Sequence, residues 1–379
     1  MPDIEFLDEH GAVASPDEPP IPPRRRPDAR HIALLGGLLV LALVVLAVVA
    51  THRRHPHPDA APAPTRTSRP LQAAPVRAAP LHYTPVGSLL FGNVFDASDS
   101  QLLAAGDRLY ALGPDELGES DLHGLHTVVQ QLPTLDQNGD RSYQLVDAPA
   151  QHRLWIVPIG GDFPGVLRGY SDVDLGSGSM LPLPAPLVGA TYLDGVLYLS
   201  TRSRLYAVGA SGQVRRVAIS GEFGPLVADQ SRHRILFLTT DLGVVSWTPR
   251  TRRLDVTAEP HGLTVDGSAV NTLFVVGSQL WGAADQAGGA VYVPLAPDTF
   301  EPDLSRAVSA PVGSDAVVAS PTRFLLRAPR TGLVSCVDGG TGRVLTRWTG
   351  LPGPLAAFDR QVLSIAPNGL VAVPSDGCF

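Results

Sequence analysis

The 379-residue sequence predicts an all-β fold, a seven-bladed β-propeller preceded by one transmembrane helix. Three observations predict it. A phrase of apolar strand, tight polar turn and second apolar strand recurs through residues 83–379, its spacing is that of propeller blades, and one N-terminal run is entirely apolar.

The recurrent phrases are LLAAGDRLYAL from Leu102, LYLSTRSRLYAV from Leu197, LFLTTDLGVVSW from Leu236, LFVVGSQLWGAA from Leu273, FLLRAPRTGLVSCV from Phe324 and VLSIAPNGLVAV from Val362. A more divergent unit, RLWIVPIGGDFPGVLRGYSDV, starts at Arg153. Second strands begin near Leu109, Val166, Leu205, Val244, Leu280, Leu333 and Leu370, at intervals from about 36 to about 57 that cluster near 38. A lone hairpin cannot cover both of its apolar faces, whereas a ring of four-stranded sheets buries each between its neighbours. Two segments, LVDAPAQHRLWIV ending at Val157 and LVADQSRHRILFLT ending at Thr239, share an Asp before a turn and His-Arg before the next strand. Residues between Phe91 and Asp96 are expected to supply a strand that closes the ring. Six or eight blades, or a β-sandwich, are the alternatives.

Residues 1–30 hold Asp3, Glu5, Asp8, Glu9, Asp17 and Glu18 and then a proline cluster, a composition that predicts a disordered cytoplasmic tail. The transmembrane helix is expected over 31–50, where Ile32 to Ala50 carry no polar side chain and would span roughly 28 Å as a helix. Arg24, Arg25, Arg26 and Arg30 precede it and Arg53 and Arg54 follow it, which favours an N-terminus in the cytoplasm and a domain outside. A cleaved signal peptide with its cut before Thr51 is the rival reading; a buried core helix would need a polar face that this run lacks. Residues 51–82, rich in Pro, Ala and Arg, read as an extended linker, in which His52, His55 and His57 are solvated rather than metal-bound.

Composition supports the β-rich reading and narrows the partners. The chain has 44% hydrophobic residues, 38 Gly and 36 Pro, so it has core material and turns often. All of its 29 basic residues are arginine, and the formal net charge of -7 argues against a general nucleic-acid binder.

The phrase GLVSCVDGGTGRVLTRW, from Gly332 to Trp348, resembles the repeat of quinoprotein-like propellers, in which a strand ends in Asp, a Thr-Gly turn follows and the next strand ends near Trp. RLYAVGASGQVRRVAI and GVVSWTPRTRRLDV are looser versions. Gly342 and Gly212 would hold the positive φ such turns need. The resemblance covers one blade well and implies fold rather than activity. The redox members of that superfamily bind pyrroloquinoline quinone, often beside adjacent cysteines; none are adjacent here, so no cofactor is expected.

Candidate sites are few. Asp136, Asn138, Asp140, Ser142 and Asp147 match positions one, three, five, seven and twelve of an EF-hand-like calcium loop, with Arg141 where Gly is usual. The competing reading is an Asn138-Gly139 turn in a polar insertion. Cys336 and Cys378, in the last two repeat units, are candidates for a disulfide in an exported domain. Trp155, Trp247, Trp281 and Trp348 read as blade packing rather than carbohydrate platforms. No phosphate-binding glycine loop, zinc-helix motif, nucleophile elbow or sialidase box occurs. The expected function is an extracytoplasmic binding or scaffolding module for a protein, peptide or envelope polymer. A hydrolase or lyase centred on the propeller channel is the alternative; carboxylates, His or Arg gathered at the channel would favour it.

Overall fold

Alternating apolar residues need two buried faces per sheet, and the chain supplies them by surrounding each sheet with two others. In the computed structural model, the described residues are Ala79–Pro80, Thr84–Pro85 and 101–379, apart from 114–115, 122–126, 133–141, 173, 177, 240–242, 257–262, 352, 359, 367–368 and 374–377. The run Ile32 to Ala50 lies outside them, and no helix among the described residues is long and apolar enough to cross a membrane.

Seven antiparallel sheets follow one another along the chain. Blade 1 comprises Gln101–Ala105, Arg108–Leu112, Glu116–Asp121 and Thr127–Gln131. Blade 2 comprises Ser142–Ala148, Arg153–Ile159, Val166–Ser171 and Ser179–Pro182. Blade 3 runs through Gly189–Leu193, Val196–Ser200, Arg204–Val208 and Val214–Ser220, and blade 4 through Leu226–Asp229, Arg234–Leu238, Val244–Thr248 and Arg253–Val256. Blade 5 holds Ser268–Val276, Gln279–Gln286, Gly289–Leu295 and Val308–Ala310, with the short Thr264–Val265 paired to its first strand. Blade 6 holds Asp315–Ser320, Arg323–Ala328, Leu333–Asp338 and Val344–Thr349. Blade 7 has Leu355–Phe358, Gln361–Ala366 and Gly369–Val373. First strands of successive blades touch in order, and that of blade 7 touches that of blade 1. The ring is therefore closed and seven-bladed, not a sandwich.

The closing strand differs from the expected one. Thr84–Pro85 completes blade 7, antiparallel to Gly369–Val373, with Thr84 opposite Ala372 and Pro85 opposite Val371. Phe91 to Asp96 lie outside the described residues. Upstream, Ala79–Pro80 adds parallel to Val344–Thr349 as a fifth strand of blade 6, so sheet pairing begins within the segment whose composition reads as linker. A two-residue strand ending in proline carries no alternation signal, which hid both from the sequence.

The repeat register also needs correction in two blades. The phrases from Leu102 and Leu273 are first-to-second-strand hairpins, whereas the other five join second and third strands. Third strands in fact begin at Glu116, Val166, Arg204, Val244, Gly289, Leu333 and Gly369, and the two long intervals of the sequence register shorten to 50 and 44 residues. All hairpins of a blade are two short apolar strands around a tight turn, so periodicity alone cannot tell one pair from the next.

Each pair of adjacent blades encloses its own apolar cluster, from Tyr110, Leu117 and Leu154 between blades 1 and 2 round to Leu109, Ala356 and Leu363 between blades 7 and 1. Burial at such an interface stabilises by roughly 25 cal/mol per Å² of apolar surface. Trp155, Trp247, Trp281 and Trp348 are all buried in these seams. Gly169 lies opposite Trp155, and a Cβ there would come within 2.6 Å of the indole. Between blades 5 and 6, Phe274, Trp281, Tyr292 and Phe324 make edge and tilted ring contacts, with Trp281 and Phe324 centroids 4.8 Å apart.

Local geometry agrees with the sequence at the expected turns. Gly212 and Gly342 both take φ of 72°. Asp338, ending its strand, accepts through Oδ1 from the N–H of Gly340 at 3.0 Å and of Thr341 at 2.8 Å, which folds the turn back on itself. The two Asp/His-Arg segments both form a single 3-10 turn, Pro149–Gln151 and Gln230–Arg232, ended by left-handed His152 and His233.

Candidate functional site

Because strands alternate in direction, turns joining first to second and third to fourth strands open on one face of the ring, here the hairpin face. Side chains on these turns reach across to the neighbouring blade. Tyr110 Oη donates to Asp172 O at 2.9 Å, joining blades 1 and 2. Gln151 Nε2 donates to Gly195 O and Val208 O, each at 2.9 Å, joining blades 2 and 3. His233 Nδ1 lies 2.8 Å from Asp194 Oδ1 between blades 3 and 4, and must be the donor because a carboxylate only accepts. Arg232 Nη1 donates to Ser278 O at 3.1 Å and Arg306 Nη1 to Gly340 O at 2.6 Å, tying blades 4 to 5 and 5 to 6. Cys336 and Cys378 are joined by a disulfide, with Cα atoms 5.8 Å apart, between blades 6 and 7. Each tie is a polar or covalent stitch over an apolar seam.

Asp229 anchors the densest of these stitches. It is 1% exposed and accepts from Ser231 Oγ at 2.6 Å, Arg234 Nε at 3.0 Å and Arg232 N at 3.2 Å. Burial pushes its carboxyl up, but the Ser231 and Arg234 hydrogen bonds and the two arginine charges outweigh that and hold it below the usual range. Arg234 then reaches Pro297 O of blade 5 at 2.6 Å.

Inside the ring, on the same face, lies a cavity of about 370 Å³. Ala228 and Gln230 of blade 4, Val275 and Gly277 of blade 5, and the run from Val318 to Pro321 in blade 6 line it. Gly277, at φ of 62°, lets the blade 5 turn approach Pro321 O so closely that any Cβ would overlap it. The lining offers small apolar surface, one amide at Gln230 and one hydroxyl at Ser320, which suits docking of an uncharged or backbone-like group. Val318 is 45% exposed, so the apolar wall is open to a ligand.

Of the calcium-loop residues, two fall among the described ones. Asp136, Asn138 and Asp140 lie outside the described residues, and Ser142 and Asp147 sit near opposite ends of the first strand of blade 2. Five strand residues put them about 17 Å apart with side chains on opposite faces. Asp147 instead faces the seam with blade 1, where burial first and the charge of Asp172 second raise its carboxyl above the usual range. Asp172 Oδ1 is buried with no hydrogen-bond partner, while Oδ2 lies 3.8 Å from His152 Nδ1. Among the described residues, no group of three metal-ligating side chains converges. Sequence reasoning missed the cavity and the Asp147–Asp172 approach, since both join residues from different strands; only the shared His-Arg phrases hinted at the stitches.

These features define a seven-bladed β-propeller stitched blade to blade on one face, with a small cavity in its channel. No protein-family profile matches the chain, and no curated protein sequence is similar to it. Among solved structures, it is similar to PorZ, a surface component of the type-IX secretion system of Porphyromonas gingivalis, at 13% identity and a TM-score of 0.53 over 74% of this chain and 37% of that one. It is also similar to the extracellular domain of BT4673 from B. thetaiotaomicron, at 15% identity and a TM-score of 0.54 over 80% of this chain and 44% of the other. The chain thus spans less than half the length of either, and identities this low show a common fold alone.

Proposed function

We propose that this chain is a membrane-tethered, extracytoplasmic propeller that acts as a binding or scaffolding module for a protein, peptide or envelope polymer. The observation that carries the reading is the channel cavity, whose lining is small, largely apolar and free of ionisable groups among the described residues. Such a wall can hold a ligand, and its one hydroxyl, Ser320, has no acid or base in the lining to activate it. Two further points support it. The run Ile32 to Ala50 is long and apolar enough to anchor the chain, and the arginine bias puts the domain outside. Of the structures it resembles, PorZ is a surface component and the BT4673 domain is extracellular. The channel-centred hydrolase or lyase has no comparable support.

The test has two arms. Protease added to intact spheroplasts should digest the domain and leave a membrane-embedded N-terminal fragment; full protection would overturn the topology. Full-length protein in detergent, cross-linked in an envelope extract, should retain a partner that Val318→Arg, placed in the cavity wall, no longer retains. Equal capture by wild type and variant would overturn the cavity as the docking site.

A further inference from the structure

We infer that the outermost strand of blade 3, Val214–Ser220, is a docking edge for an acidic peptide, which adds to it as an extended strand. The inference rests on the binding-module reading and names a partner chemistry for it. Val214–Ser220 is the last strand of its sheet, so among the described residues its outer backbone N–H and C=O groups have no strand partner. It has seven residues and no proline, pairing regularly with the third strand from Val214 to Arg216, where both arginines lie, and shifting register before Ser220. The other open outermost strands are shorter: five residues in Thr127–Gln131, four in Ser179–Pro182 and Arg253–Val256, three in Val308–Ala310. Strand addition at this rim already occurs in the molecule, since Ala79–Pro80 and Thr84–Pro85 pair with the outer edges of blades 6 and 7.

Charge selects the partner. Arg215 and Arg216 are exposed at the start of the strand, next to the hairpin face. On the same face the turn of blade 4 carries Arg250 and Arg252, followed by Arg253, and Arg250 Nε lies 3.4 Å from Asp194 Oδ2 of blade 3, so the two blades present one surface. Arg232 and Arg234 are compensated by Asp229, and Arg250 by Asp194. No carboxylate pairs with Arg215, Arg216 or Arg252 among the described residues, leaving uncompensated positive charge on a protein of net charge -7. Arginines on an edge strand also deter indiscriminate pairing, and that repulsion is relieved only by a strand bearing carboxylates. A phosphate polymer could meet the arginines but not the backbone edge, which is why a peptide fits better.

The experiment uses the full-length chain in phosphatidylcholine nanodiscs and a fluorescein-labelled peptide alternating glutamate and valine, followed by anisotropy. Binding should weaken about tenfold or more in Arg215→Ser/Arg216→Ser, with an unchanged melting temperature, and should also weaken with added salt. The same peptide with alternate backbone nitrogens methylated should lose binding, and polyphosphate should compete poorly. Equal binding of the methylated peptide, tight arginine-dependent binding of polyphosphate, or no effect of the double substitution would each overturn the inference. If the envelope partner is captured equally by wild type and Arg215→Ser/Arg216→Ser, the docking edge falls and the module reading stands; if Val318→Arg alone leaves capture intact, the cavity falls instead.

Discussion

Replacing Cys378 with alanine tests whether the seam between blades 6 and 7 is held as described. Cys336 lies in the third strand of blade 6, Cys378 follows the third strand of blade 7, and the bond closes a loop with a sequence separation of 42. In the chain-entropy treatment a loop of that length contributes about 4 kcal/mol near 25 °C by restricting the unfolded chain. A propeller of this size gains roughly 0.6 kcal/mol per kelvin of entropy on unfolding, taking about 2.1 cal/mol/K for each residue. The melting temperature should therefore fall by about 7 °C in Cys378→Ala, measured by differential scanning calorimetry on the oxidised full-length protein. Adding reductant during refolding of the wild type should produce a similar drop while keeping both sulfurs in place, which separates the cross-link from packing. A fall under about 2 °C, or two thiols titrating in the oxidised protein, would refute the reasoning.

Four other perturbations read different layers of the fold. Asp229→Ala leaves the buried Arg234 guanidinium without its carboxylate and should cost about 3 to 5 kcal/mol in a denaturant titration, against a far smaller loss for Asp298→Ala on the exposed side of the same arginine. Gly277→Ala places a Cβ against Pro321 O at a positive φ and should cost about 2 kcal/mol or more, while Gly195→Ala, where nothing lies within 4 Å, should show only the backbone cost. Burial and the charge of Asp172 raise the Asp147 carboxyl, so its contribution is favourable at acid pH and is lost as pH climbs from the unfolded carboxylate pKa through the folded one. Asp147→Asn should accordingly raise the melting temperature near neutrality and leave it unchanged in strong acid. Burial pushes the Tyr110 phenol up to about 12, ahead of opposing pull from Arg108, so stability should fall between pH 10 and 12 in the wild type and less in Tyr110→Phe.

What was legible in the sequence follows from which forces are local. Alternation of apolar residues in segments such as Leu197 to Val208 is written in adjacent positions, and it revealed sheets, their number and their mutual burial. Turn chemistry was equally readable at Gly212 and Gly342, and the His-Arg phrases marked equivalent turns in blades 2 and 4. Hairpin phase was not readable in blades 1 and 5, because Arg108–Leu112 and Gln279–Gln286 are as apolar as any third strand. Ring closure by Thr84–Pro85 depends on two backbone pairings nearly three hundred residues apart and leaves no side-chain pattern. The site suffered most: Asp147 reads as the end of a linear loop, yet the acidic group that raises its carboxyl is Asp172, beyond the third strand of the same blade. The cavity is made of Ala, Val, Gly and Pro, residues that carry no chemical signature until three blades bring them together.

The fourth strand of blade 7 comes from a segment that precedes blade 1, so the hoop cannot be fastened until both its earliest and its latest strands have emerged. A chain emerging N-terminus first would hold six blades and two strands of the seventh, its clasp strand already out but without a partner, until Gly369–Val373 arrives. Pulling on the chain from its N-terminal side would load Ala79–Pro80 and Thr84–Pro85 first, the clasp rather than the packed seams. The disulfide beside that clasp would keep the C-terminal residues fastened to blade 6 even when the short strand lets go.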